Sequence, residues 1–203
     1  MERFKKFLYK IKDDTYPETP MEMHTQISDK MISEVHEKLK LPDNARILDI
    51  GCGQGLGLKK FTEYGYNPVG LTLNTTDYEI CKNLGYEVYQ MDQSFLQFDD
   101  AEFDFLWARH VLEHSIFPYF TLNEYNRVLK NNGFIYIEVL AAGFDAVHEN
   151  NPNHYSVLTK TMWRSLFNRA GFDSVYELDF DLALEKNGKD QYWMFILKKR
   201  KEE

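Results

Sequence analysis

The chain has 203 residues, with 24 basic and 32 acidic side chains and a formal net charge of −8. That length fits one domain, which at this size buries roughly 70% of its unfolded surface and needs no covalent staple. Two cysteines, Cys52 and Cys81, exclude a disulfide framework or a cysteine zinc site. No apolar run approaches the ~20 residues of a membrane-spanning helix, and the acidic balance weighs against a nucleic-acid polyanion as main partner.

The N-terminus, Met1-Glu2-Arg3-Phe4-Lys5-Lys6, is charged and carries no secretory apolar core, so a soluble, cytoplasmic protein is expected. Phe4, Phe7, Leu8 and Ile11 have helical spacing. They predict a short amphipathic helix over 2–12, lying on the domain's own surface or against a membrane or partner. Residues 13–23 hold two prolines and read as a linker, so 1–25 form an N-terminal helix and linker and 26–203 the main domain.

A helix is predicted over 26–40, with Ile27, Met31, Ile32, Val35 and Leu39 as its apolar stripe. Short apolar strands and helices then alternate. Strands are expected at 46–50, 68–73, 86–91, 103–107 and 134–140. Helices are expected at 56–64, at 76–84 opened by a capping box at Thr76-Asp77-Tyr78-Glu79, and over 109–130. The last of these breaks near Pro118 and restarts at Thr121-Leu122-Asn123-Glu124. A loop of about 17 residues (141–157) leads to a helix at 161–170, closed by Gly171. Strands at 173–180 and 192–197, joined by Lys186-Asn187-Gly188-Lys189, form an antiparallel hairpin. The pattern predicts an α/β, Rossmann-like three-layer sandwich: a mostly parallel seven-stranded sheet ending in that hairpin. In such sheets ligands bind at the carboxyl ends of the strands, where strand order reverses.

The strongest signal is Asp49-Ile50-Gly51-Cys52-Gly53-Gln54-Gly55, at the end of the first strand and the start of a helix. Its glycines allow a tight turn and close approach of a ligand. The dinucleotide pattern G-x-G-x-x-G fails at Leu56, and a phosphate-loop Lys-Ser/Thr is absent.

This run resembles motif I of the class I S-adenosylmethionine-dependent methyltransferases. The segment Phe103-Asp104-Phe105-Leu106-Trp107-Ala108-Arg109-His110-Val111-Leu112-Glu113-His114 is similar to the "FD…HVLEH" stretch of that family's small-molecule branch. Leu129-Lys130-Asn131-Asn132-Gly133 resembles the turn before the fifth strand, and His154-Tyr155 with 161–172 the late "H…T…L…AGF" segment. The likeness runs over about 47–172.

The resemblance implies S-adenosylmethionine as cofactor and S-adenosylhomocysteine as product. Gly51, Cys52, Gly53 and Gly55 would wrap its methionine part, and Asp49 would help to hold the amino group. Asp92 and Gln93 would face the adenine. Ala108 and Arg109 would present backbone carbonyls. The family's acidic ribose residue is replaced by Thr72, which either donates one hydrogen bond with help from Asn74 or simply fills a strand end.

Methyl transfer depends chiefly on alignment, and a base helps when the acceptor is a hydroxyl or carbon acid. His110 and His154 are the candidate catalytic residues, with His148 beside them. His24 and His36 read as surface or cap residues, and Glu113 as a pairing residue. No metal-ligand pattern is read. The expected function is methylation (O-, N- or C-) of a small-molecule acceptor. The alternatives are a non-catalytic binding or scaffold protein on the same fold, and another enzyme such as an aminopropyl transferase or nicotinamide oxidoreductase.

Overall fold

A computed structural model describes residues 3, 6, 7, 21–183 and 188–201; most of the expected helix over 2–12 and most of its linker lie outside them. The described chain runs α1 (Glu22–Leu39), β1 (Arg46–Ile50), α2 (Leu56–Glu63), β2 (Asn67–Thr72), α3 (Thr75–Asn83), β3 (Glu87–Gln90) and β4 (Phe103–Arg109). It continues through α4 (Pro118–Val128), β5 (Leu129–Leu140), α5 (Lys160–Arg169), β6 (Phe172–Ala183) and β7 (Lys189–Lys199).

The strands form one sheet in the order β3-β2-β1-β4-β5-β7-β6. Strands β1 to β5 pair in parallel, and β7 pairs antiparallel with both β5 and β6. The expected seven-stranded architecture is therefore the observed one. Strand order reverses between β1 and β4, whose last partners are Ile50 and Ala108.

Side-chain alternation explains why both faces are covered. Leu48, Ile50, Leu106, Ala108, Ile135 and Ile137 point to one face, against Leu122 and Tyr125 of α4 and Trp163 and Phe167 of α5. Ile47, Phe105, Trp107 and Tyr136 point to the other, against Met31, Ile32 and Val35 of α1 and Phe61 of α2. Near-continuous apolar strands are what a parallel sheet buried on both sides requires.

Local chemistry shifts three predicted boundaries. Asn74, not Thr76, caps α3: its Oδ1 accepts from the Asp77 amide. Pro118 occupies the first turn of α4, so the helix does not restart at Thr121. The Thr121 hydroxyl is instead buried against those of Ser94 and Ser115, at 2.7 and 2.6 Å. The segment over 109–117 is not α-helical: Arg109 ends β4, His110 is left-handed (φ 52°), and Leu112–His114 form one 3-10 turn.

Candidate active site

The β1–α2 turn is set by three left-handed glycines, Gly51 (φ 72°), Gly53 (φ 48°) and Gly55 (φ 89°). A Cβ on Gly51 would lie 2.0 Å from Val111 Cγ1, so the loop after β4 closes directly on this glycine. A Cβ on Gly57 would lie 2.4 Å from Asp49 Oδ2. The close helix-to-strand approach is thus made at Gly57, one residue beyond the dinucleotide position held by Leu56. Sequence reasoning had not singled out Gly57.

Two cavities meet at this turn, and Gly51 and Gly53 line both. The first opens over β2 and β3 and is lined by Thr72, Asn74, Asp77, Asp92, Gln93 and the rings of Phe95 and Phe117, among others. The second lies over β1 and β4 beneath α1. Asp49, Cys52, Arg109, His110, Glu113, His114 and His154 line it, with His24 above.

In the first cavity the polar groups are held by local bonds. Thr72 Oγ1 accepts from the Asn74 amide at 3.1 Å, and Asn74 Oδ1 is committed to its cap. Thr72 and Asn74 therefore shape the turn after β2 as well as lining the cavity. Asp92 Oδ1 accepts from the Ser94 amide at 2.7 Å. Gln93 is pinned at both ends, donating to the Val111 carbonyl at 2.7 Å and accepting from the Tyr125 hydroxyl. Asp77, read only as part of a capping pattern, is buried beside them. Ala108 is buried in the core and its side chain lines neither cavity.

The second cavity is built on an ionic centre. Arg109 and Glu138 are register partners on β4 and β5. Arg109 Nε lies 2.9 Å and His110 Nε2 2.8 Å from Glu138 Oε1, while the Tyr136 hydroxyl donates to Oε2 at 2.5 Å. Glu138 is wholly buried. Burial alone would raise its pKa, but His110, Arg109 and the Tyr136 hydroxyl outweigh that and hold it at about 2. His110 is lowered to about 4, by burial first and then by the Arg109 charge, against the pull of Glu138. It is therefore neutral near pH 7.

His24 and His36 are not the surface residues expected. His24 accepts from Arg109 Nη2 at 3.1 Å and packs edge-on to His110, with ring centroids 5.5 Å apart. His36 bonds the Tyr66 hydroxyl at 2.8 Å and stacks on Tyr64. His148 is held by Asp190 at 2.9 Å and lines neither cavity. His154 Nδ1 donates to the His148 carbonyl at 2.9 Å, and burial lowers its pKa.

This centre makes stability acid-sensitive. Both folded pKa values lie below their unfolded values of 6.5 and 4.5. The unfolded chain therefore takes up protons first as pH falls. The His110 contribution is lost as pH falls from about 6.5 to 4, and the Glu138 contribution as it falls from about 4.5 to 2. Urea-unfolding midpoints at pH 7 and 4.5 should fall less in His110→Asn than in the parent. An equal fall in both would contradict the assignment.

A glycine turn at the strand-order reversal, with cavities on both sides, defines an α/β protein built to hold a ligand across the carboxyl edge of its sheet. Residues 48–137 match the family model described as "Methyltransferase domain". Over that region the chain is similar to S-adenosylmethionine-dependent methyltransferases, whose cofactor is S-adenosylmethionine.

Among curated proteins the chain is 28% identical over 134 residues to the sterol 4-C-methyltransferase strm-1 of Caenorhabditis elegans, covering 61% of this chain and 39% of that protein. It is 25% identical over 166 residues to the tRNA U34 carboxymethyltransferase of Aliarcobacter butzleri, covering 73% and 54%. The chain thus spans about half, or less, of these relatives' length. A crystal structure of a SAM-dependent methyltransferase from Archaeoglobus fulgidus superposes with a TM-score of 0.70 at 18% identity, covering 84% of this chain and 94% of that one. That likeness carries the fold.

Proposed function

We propose that the chain catalyses methylation of a small-molecule acceptor, with S-adenosylmethionine lying across the Gly51–Gly55 turn. The observation that carries this reading is that Gly51 and Gly53 line two cavities of opposite character, so one extended ligand can pass over them. The residues fit that ligand. The first cavity offers Thr72, Asn74, Asp92 and Gln93 beside aromatic rings, suited to the adenosine end. The second begins at Asp49, suited to an ammonium group. Bound there, S-adenosylmethionine supplies a methyl group on a positively charged sulfur.

The chain's own residues then align the acceptor and take up its proton. The ionised Glu138 beside His110 Nε2 favours the proton on that nitrogen, leaving Nδ1 as the acceptor atom. His154, whose Nδ1–H is spent on a backbone carbonyl, offers Nε2. Arg109 and His24 shape the same wall. Relatives are named for sterols and for tRNA; the net charge of −8 favours the small molecule over a polyanion.

Methyl-labelled S-adenosylmethionine, incubated with the protein and panels of small hydroxylated, aminated and sterol-like acceptors or with tRNA, tests the reading. Label is expected in a small-molecule product, and His110→Asn should lower kcat by about 10²–10⁴-fold. Tight cofactor binding without transfer to any acceptor would favour the scaffold reading. Transfer to tRNA alone would contradict the small-molecule class.

A further inference from the structure

The second cavity holds a group of side chains that proton transfer alone does not require. Glu113, His114 and His154 each offer one ligand atom, and these atoms all lie within 4.8 Å of one another. They come from two distant segments: the 3-10 turn after β4 and the long loop after β5. Glu113 is 1% exposed. The two imidazoles meet edge-on, with ring centroids 5.0 Å apart.

Their second contacts set the tautomers. His114 Nδ1 lies 2.8 Å from the Asn153 carbonyl, and His154 Nδ1 lies 2.9 Å from the His148 carbonyl. A carbonyl can only accept, so each Nδ1 carries the hydrogen and each Nε2 keeps a lone pair. The Asn151 amide nitrogen, 3.1 Å from His154 Nε2, confirms the sense: its Oδ1 accepts from the Asn153 amide, so Nδ2 is the end that donates. Both rings therefore gather with a carboxylate while presenting acceptors, and neither can donate to it from Nε2. Imidazoles that donate Nδ1–H to backbone carbonyls and present Nε2 are the usual supported form of a metal-ligating histidine. Two histidines and one carboxylate on one side of an ion leave its other positions open.

We propose that Glu113 and the Nε2 atoms of His114 and His154 bind a divalent first-row transition ion on the wall of the second cavity, its open positions facing the acceptor. The ion displaces the Asn151 amide from His154. No such site was read in the sequence. For the reaction this rests on the methyltransferase reading: an acceptor hydroxyl on the ion loses its proton more readily. His154 then serves as a ligand, and His110 remains the proton acceptor. The binding itself does not depend on that reading.

The full chain, stripped with a chelator and dialysed, is titrated with Zn2+ and separately with Mn2+ by calorimetry. S-adenosylhomocysteine binding is measured in parallel on each sample. One equivalent of ion is expected per chain, with affinity at least 100-fold weaker in His154→Gln and in Glu113→Gln, while both variants still bind S-adenosylhomocysteine. Should Glu113→Gln fail to fold, His114→Gln gives the second reading. No stoichiometric binding, or binding undiminished in the variants, overturns the site. Ion binding without S-adenosylhomocysteine binding supports the site and counts against the methyltransferase reading instead.

Discussion

Gly51→Ala is expected to lower stability by about 3 kcal/mol and to abolish cofactor binding. Two effects add. A non-glycine residue at φ 72° pays roughly 1–2 kcal/mol for its left-handed backbone. The new methyl would also stand 2.0 Å from Val111 Cγ1, and relieving such overpacking costs roughly 1–3 kcal/mol. For a chain of this length the unfolding midpoint should fall by about 6–12 °C. Combining Gly51→Ala with Val111→Ala should recover the steric part and leave the backbone part, a coupling that a double-mutant cycle reads directly. Additive effects of the two substitutions would show that the turn and the post-β4 loop are not in contact.

Glu138→Gln is expected to be the most damaging single change in the ionic centre behind the second cavity. It keeps the shape of the side chain but leaves the Arg109 guanidinium facing a neutral amide within the sheet edge. Breaking a buried pair in this way typically costs about 3–5 kcal/mol. The loss of the carboxylate also removes the group that raises the His110 pKa, so His110 should become still harder to protonate. Replacing both charges, as in Arg109→Met with Glu138→Leu, should be far less destabilising, because no uncompensated ion remains. That double variant should nevertheless be inactive. Chemical unfolding and methyl-transfer assays on the three variants separate the two roles. A double variant that keeps full activity would show the ion pair to be structural only.

The sheet was legible because its strands are short apolar runs separated by helices with a clear stripe, and parallel burial on both faces demands that pattern. The glycine turn was legible because strand, glycines and helix occur in the order a ligand-binding edge needs. The helix expected over 109–130 failed at its start, although His110, Val111 and His114 have helical spacing. The left-handed His110 and the 3-10 turn answer to tertiary contacts instead, with Val111 packing on Gly51. Thr121 looked like a cap because a hydroxyl before Glu124 reads that way in one dimension; hydroxyls from two loops, Ser94 and Ser115, meeting it on α4 made it a buried contact. His24 could not be placed, because its partner Arg109 lies 85 residues away and meets it only through the docking of α1. Glu138 did leave a signal: a lone carboxylate within Phe134-Ile135-Tyr136-Ile137-Glu138-Val139-Leu140 must find a cation when that strand is buried.

Titration of the protein with S-adenosylhomocysteine by calorimetry tests the central claim most directly, with NAD as the control ligand. One molecule of S-adenosylhomocysteine per chain is expected to bind, and NAD not at all. Asp92→Asn keeps the oxygen that accepts from Ser94 but loses the negative charge, so affinity should fall by about tenfold, or ~1.4 kcal/mol. Absence of binding at millimolar ligand, or equal binding by the parent and by Asp92→Asn and Asp49→Asn, would contradict a cofactor site built across the Gly51–Gly55 turn.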